Sequence, residues 1–325
     1  MANTLISLVI PVYNGVGYLP ELLESIAGQT RLPDEIIFVD DGSTDASASL
    51  LLEFSDRIPN VKIFRQENRG QAVARNVGVE HATGRYIAFL DADDIVLPNM
   101  YMTLVTMAET DNLDIAMING WNFHEGRKDD TLIFNGIDDT GVTTGEKWFQ
   151  SRWLAKYMPH YCWLNLYRRQ FIESLNLRFP DAAPHEDVMW VTRSLLSAQR
   201  FRFNPSPQIM YRKKRIWPTP PALANGKTAF VRNRVIESGF YNTRALADIS
   251  RNDSFKPLTR ELIRKDFVNG GCNLIRSIRN LKEPAQRSHY LCRVQDEKFV
   301  SFLWAGARGS KEHLRVLRYG VLSVF

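Results

Sequence analysis

Over the first hundred residues, short β-branched apolar runs alternate with segments whose apolar residues recur at helical spacing. No other feature of the chain limits its fold as tightly. Residues 5–13, LISLVIPVY, read as a buried strand. Residues 18–29 place Leu19, Leu22, Leu23 and Ile26 on one helical face. Residues 35–39, EIIFV, predict a second strand that ends in DDGSTD, a turn leading to a helix at 45–54. Residues 61–65 and 85–90 predict two more strands, with a helix at 70–80 between them. A β-α-β-α-β-α-β order predicts an α/β fold with a doubly wound, mostly parallel sheet.

Farther along, residues 98–118 read as a helix and then a strand. Residues 121–147 are polar and rich in Gly and Asp, an excursion or a hairpin. Helices are expected at 146–157 and 168–176. A loop at 181–187 runs into a helix at 188–198. Residues 204–221 hold five prolines and the run YRKKR, which reads as a mobile loop. Residues 225–325 are mostly amphipathic helix. The expected domains are 1–220, in two halves (1–100 and 101–220), and a helical basic region over 221–325.

Composition narrows the class. With 44% hydrophobic and 24% charged residues the chain is ordinary globular protein, and 3 cysteines without metal spacing fit a reducing compartment. No apolar run is long enough to span a bilayer, and the start lacks the basic flank of a signal peptide. A cytoplasmic protein, soluble or peripheral on the inner face of the membrane, is expected. Charge is uneven: residues 1–200 carry 17 Lys and Arg against 27 Asp and Glu, and residues 201–325 carry 24 against 9, a net of −10 and +15. Two readings of the basic third are open, an anionic partner such as a membrane leaflet or a set of solvated helix faces. Without zinc-finger spacing or an RNP-type motif, nucleic acid is not expected.

In doubly wound sheets ligands sit beyond the carboxyl ends of the strands. After the first strand come Tyr13 and Asn14, after the second Asp40 and Asp41, and after the fourth Asp91, Asp93 and Asp94. Neither GxGxxG nor a P-loop is present. Asp91-Ala92-Asp93 puts two carboxylates on one turn, where hard oxygen ligands suit Mg²⁺ or Mn²⁺. A capped turn is the alternative. Glu186-Asp187 heads a predicted helix, and a carboxylate there is either a general base or a residue favoured by the helix dipole. Arg75 either pairs with a phosphate or forms a surface ion pair. Among the dispersed histidines His124, His160 and His185, the last stands beside Glu186-Asp187 and is the best candidate.

Taken in order, SLVIPVYNGVGYLPELLESIAGQT, DEIIFVDDGSTD and NRGQAVARNVGVEHATGRYIAFLDADD, followed by YCWLNLYRR and HEDVMW, resemble the inverting family-2 glycosyltransferases of the GT-A fold. The resemblance is dense over residues 5–100 and stops before residue 225. It implies a GT-A nucleotide-sugar domain with a helical C-terminal extension. Pro11, Tyr13, Asp40 and Asp41 then match positions that line a nucleotide base pocket, usually uracil. Arg75 matches the arginine near the sugar diphosphate, Asp91 the carboxylate that touches ribose or donor sugar, and Asp93 the metal ligand. Asp187 matches the catalytic base. Glu186 and His185 stand on the acceptor side, and Arg215 falls where a basic loop covers the diphosphate. The implied reaction is a single displacement from a UDP-sugar, with Mn²⁺ or Mg²⁺, to a hydroxyl of a glycan or lipid-linked saccharide, in bacterial surface polysaccharide synthesis such as lipopolysaccharide. Asn165, where many relatives have Lys, and IWPTPPA after YRKKR depart from the pattern near the acceptor side and the closing loop. The rival readings are a nucleotidyltransferase, whose glycine-rich first turn is absent, and a non-catalytic nucleotide-sugar or glycan binding module, expected to have lost Asp93 or Asp187. Both are present.

Overall fold

A computed structural model describes residues 5–124, 130–181, 185–213 and 227–320, the side chains of 227–232 and 234 excepted. The chain groups into two compact units, Met1–Asp181 with Trp190–Pro220, and Ala182–Met189 with Pro221–Phe325.

In the first unit the chain runs β1 (Ile6–Val12), α1 (Leu19–Ala27), β2 (Glu35–Asp40), α2 (Ser47–Arg57), β3 (Val61–Arg65), α3 (Gln71–His81) and β4 (Tyr86–Phe89). It continues through β5 (Ile95–Val96), α4 (Met100–Thr110), β6 (Ile115–Phe123), β7 (Thr131–Leu132), α5 (Gly145–Leu154), a 3₁₀ turn at Cys162–Leu164, β8 (Asn165–Arg168) and α6 (Arg169–Ser174). α7 (Asp187–Ser197) starts in the 182–189 segment, and β9 (Phe201–Arg212) closes the series. One sheet holds these strands in the order β3-β2-β1-β4-β8-β6-β9-β5, with β7 on β6. The first four strands pair in parallel, and β8 joins them to β6 through antiparallel contacts.

The sequence pattern explains the parallel half. Every residue of β1, β2 and β4 is buried, as strands covered on both faces require. α1 buries the four apolar residues its periodicity set on one face, and Pro20 in its first turn forfeits no internal hydrogen bond. α3 lies close on β1 because position 78 is glycine: a Cβ there would stand 2.2 Å from Val9 Cγ1.

One expectation changes, and two stretches left open take definite form. The proline-bearing segment after residue 204 is not a loop as far as Arg212. It is the body of β9, parallel to β6 and antiparallel to β5. Pro207 sits where the β6–β9 register shifts, and β5 pairs only with residues 209 and 210, so the prolines meet no partner on that side. Residues 165–168, within YCWLNLYRR, form a strand between β4 and β6. The polar stretch after 121 resolves into a hairpin contact of β6 with β7.

The second unit is helical: α8 (Lys227–Ser250), α9 (Pro257–Arg279), α10 (Pro284–Asp296), α11 (Phe299–Gly306) and α12 (Gly309–Gly320). α9 is its axis and buries Leu262, Phe267, Ile275 and Ile278. Arg264 joins three elements. Its guanidinium donates to Glu261, Glu312 and the Gly306 carbonyl. Arg293 ties α10 to α8 through Glu237 at 2.6 Å and lies over the Phe240 ring. Among the described residues no helix is long and apolar enough to cross a membrane.

Candidate active site

Strands β1, β2 and β3 advance in one direction across the sheet, and β4 then pairs on the opposite side of β1. The order therefore reverses between β1 and β4, and a doubly wound sheet opens its crevice at the carboxyl ends of such a pair. Tyr13 and Asn14 follow β1 there, and Asp91 and Asp93 follow β4.

The loop after β1 is sewn to the loop after β2. Asn14 takes a left-handed conformation (φ 48°), and its Oδ1 accepts from the Thr44 amide at 2.8 Å. Ser43 Oγ accepts from Asn14 N, Ser47 Oγ from Gly15 N, and Asp45 from Val16 N. Although Asp45 is partly desolvated, the hydroxyl and amide of Ser47, with the Val16 amide, hold its carboxyl below the ordinary range. Pro11 is buried in β1 opposite Val39, while Tyr13 is exposed. Asp40 and Asp41 are buried. Asp40 accepts from Ser43 N at 2.9 Å and faces Arg65 at 3.4 Å. Asp41 accepts from Gln66 Nε2 and the amides of Arg69 and Gly70 at 2.7–2.8 Å. These two carboxylates shape the loops around the crevice and the approach to α3.

The acidic turn after β4 is denser than the tripeptide alone suggested. Asp91, Asp93 and Asp94 offer ligand oxygens within 4.8 Å of one another. Arg75 is not on the surface: it is 2% exposed, its guanidinium meets Asp91 Oδ1 at 2.5 Å, and it lies over the Phe179 ring. Asp94 is buried, with Oδ1 accepting from the Arg212 amide at 3.0 Å and Oδ2 without a partner among the described residues. Desolvation first, then the charges of Asp91 and Asp93, push its carboxyl well above the ordinary range. Arg212 Nε donates to the Asp93 carbonyl at 2.8 Å, and its guanidinium pairs with Glu21 and lies over the rings of Tyr18 and Phe123. The last residue of β9 thus clamps the turn. Beside it, burial pulls the Lys213 ammonium below its usual range, and the ammonium stands 4.1 Å from the centroid of the Tyr211 ring.

The donor set fits a divalent cation. All three side chains are hard oxygen ligands, and the buried, unpartnered oxygen of Asp94 is one that a cation would satisfy.

His185, Glu186 and Asp187 group with the second unit. His185 is exposed in a left-handed conformation (φ 72°), and its carbonyl accepts from Asn242 Nδ2. Glu186 is buried, and Asp187 is the first residue of α7, where the helix dipole favours its negative charge. Asn165 is buried and donates to the Tyr161 carbonyl at 2.9 Å. Arg215 lies outside the described residues. In the sequence Asp94 reads only as one more acidic residue at a strand end, and Arg212, which reads as part of a basic loop closing over a diphosphate, is instead the end of β9. A signal for Arg212 was available in the alternation of Phe201, Phe203, Ile209 and Tyr211 before it.

Comparison with known proteins agrees with this geometry. YibD of Escherichia coli (strain K12), an uncharacterized glycosyltransferase, is 39% identical over 200 residues, which are 61% of this chain and 58% of that protein. EpsJ of Bacillus subtilis (strain 168), also an uncharacterized glycosyltransferase, is 31% identical over 207 residues, 61% of this chain and 56% of that protein. The chain thus matches under two thirds of the length of these curated relatives. Among solved structures, S. aureus TarS 1–349 superposes with a TM-score of 0.69 at 17% identity, covering 98% of this chain and 88% of that one. The mannosyltransferase PcManGT from Pyrobaculum calidifontis, solved with GDP-Man and Mn²⁺, gives 0.53 at 16% identity over 98% and 80%. Both likenesses are of fold, and that fold is GT-A. The model for glycosyl transferase family 2 matches residues 7–175, more than half of the chain, and the protein belongs to that family.

Proposed function

We propose that the protein is an inverting, cation-assisted glycosyltransferase that moves a sugar from a UDP-sugar to a hydroxyl of a glycan or lipid-linked saccharide, in the assembly of a bacterial surface polysaccharide. The observation that carries this reading is the Asp91–Asp93–Asp94 cluster at the switch point of the sheet, with buried Arg75 on Asp91. Fold neighbours solved with nucleotide sugars support a nucleotide-sugar donor here, and the choice of uridine rests on the matching residues Pro11, Tyr13, Asp40 and Asp41.

In this reading Tyr13 and the laced loops after β1 and β2 hold the base, and Asp91 meets the ribose or the donor sugar. Asp93, with Asp94 behind it, would hold Mn²⁺ or Mg²⁺, which supplies positive charge to the departing diphosphate. Arg75 adds a charge that cannot be lost by deprotonation, and Arg215 is, by the resemblance alone, the residue assigned to cover the diphosphate. Asp187 takes the proton of the acceptor hydroxyl as that oxygen forms its bond to the anomeric carbon. The bond from that carbon to the diphosphate breaks on the opposite face, UDP departs, and the anomeric centre inverts. Glu186 and His185 belong to the acceptor side.

Purified protein incubated with UDP-, GDP- and dTDP-sugars, with Mn²⁺ or Mg²⁺ and with or without a bacterial glycolipid extract, should release one nucleotide diphosphate. Release should fall about 10²-fold or more in Asp93→Ala and in Asp187→Asn. Equal release by wild type and Asp93→Ala would favour a non-catalytic binding module, and near-normal turnover in Asp187→Asn would remove that residue as the base.

A further inference from the structure

The second unit carries a cluster of cations that its own acids leave unmatched. Arg276 and Arg279, in the last turn of α9, and Arg318 of α12 line a hollow of about 330 Å³ together with Asn280 and Tyr319. Several other arginines of this unit find carboxylates, Arg244 on Glu297, Arg264 on Glu261 and Glu312, Arg293 on Glu237, and Arg308 on Glu261, while Arg287 and Arg315 donate to the Leu281 carbonyl and to Asn273. Among the described residues none of the three around the hollow has an acidic partner. The negative end of α9 accounts for two of them. It does not account for Arg318, which comes from another helix.

The face of α12 that bears Arg318 is also unusual. The helix buries Val316 and Gly320, yet leaves Leu314 64% exposed and Leu317 41% exposed. At 100° per residue, Leu314, Leu317, Lys311 and Arg318 share the outward side. Trp304, near the end of α11, is 41% exposed. Leucines and cations on one solvent face, beside a hollow rich in guanidinium groups, suit an anionic bilayer surface, where apolar side chains enter the headgroup boundary and arginines take phosphates. A soluble phosphate ester would use the arginines and give the leucines nothing to do.

We propose that Arg276, Arg279 and Arg318 form a site for the phosphate of an anionic phospholipid, and that Leu314 and Leu317 insert beside it. The proposal does not rest on the sugar-transfer reading, so either can fail without the other. The test is sedimentation of the full chain with vesicles of phosphatidylcholine alone or mixed with phosphatidylglycerol. Inorganic phosphate and a DNA fragment serve as competitors. Wild type should bind only the mixed vesicles. An Arg276→Gln/Arg279→Gln/Arg318→Gln variant should bind them about 100-fold more weakly, roughly fivefold for each lost cation. Leu314→Ser/Leu317→Ser should also weaken binding, and lowering the salt should not restore it. Circular dichroism confirms that both variants are folded. The proposal is overturned if wild type ignores the mixed vesicles, or if the arginine variant binds as wild type does. It is also overturned if the leucine variant is unaffected, or if inorganic phosphate or DNA displaces the protein from the vesicles.

Discussion

Arg212 is the residue on which the acidic turn depends most. Its amide and its Nε reach Asp94 and the Asp93 carbonyl, and its guanidinium also holds Glu21. Replacing it with Met keeps most of the stem that packs on Tyr18 and Phe123 and removes the charged hydrogen bonds. Each of those is worth about 1.5–3 kcal/mol, less for the partner Glu21, which is exposed. Arg212→Met should therefore lower the urea midpoint modestly and weaken Mn²⁺-dependent binding of a nucleotide diphosphate, measured by calorimetry, by about tenfold. A variant that loses stability and keeps wild-type binding would make Arg212 a purely structural clamp. Residues of this kind are hard to find in a sequence. Asp91 and Asp93 announce themselves because they are neighbours, and Arg75 because it lies within a recognisable run. The worth of Asp94 and Arg212 depends on a contact 118 residues apart, and that of Glu21 on one 191 residues apart. No local pattern records either one.

Elements were legible where their patterns are local. β1 to β4 are short apolar runs bounded by turns, and α1 carries its core face in its spacing, so both could be read from neighbours in sequence. β9 could not. Its prolines and its basic end imitate a loop, and what makes it a strand is β6, some eighty residues earlier in the chain. The closeness of α3 to β1 is a further element-scale property, and it rests on Gly78. An alanine there would gain about 1 kcal/mol of helix propensity. Its Cβ would also meet Val9 Cγ1 at 2.2 Å, Cγ2 at 3.1 Å and Cβ at 3.2 Å, and Val9 is fully buried. Overpacking of that kind costs about 1–3 kcal/mol or more, so Gly78→Ala should destabilise despite the better propensity. Val9→Ala alone should destabilise by leaving a cavity. Combined, the two should cost less than their sum, with a coupling of about 1 kcal/mol or more in a denaturant-unfolding cycle. Strict additivity would mean that α3 shifts off the sheet without penalty and that the glycine is not what sets its approach.

At the scale of the whole molecule the two units respond to acid through different groups, and Arg264 is a hub of the helical one. Arg264 is buried and donates to two glutamates at once, joining α9 to α12 and to the end of α11. Its hydrogen bonds outweigh partial burial and hold the Glu261 carboxyl at about 2, from an ordinary 4.5. Those from Arg264 and the Arg308 amide hold Glu312 below its ordinary range as well. Both glutamates are therefore depressed in the folded chain. The unfolded chain binds the extra protons, and the stabilisation is complete above about pH 5 and drains away as pH falls toward 2. After discounting for solvent around Glu261, the loss amounts to about 2 kcal/mol. Arg264→Met removes the cause of the depression and leaves two glutamates near a buried apolar stem. At neutral pH it should unfold about 3 kcal/mol more readily, as expected when one partner of a mostly buried pair is removed. The informative quantity is how that difference changes with pH. Unfolding free energies of wild type and variant should converge as the buffer is taken from about pH 6 to about pH 3, because protonation removes in the wild type what the mutation removes at every pH. Carboxylates of the first unit titrate equally in both proteins and cancel in the difference. A gap that stays constant across that range would mean that Arg264 stabilises the unit through its packing and its bond to the Gly306 carbonyl, with the glutamates incidental.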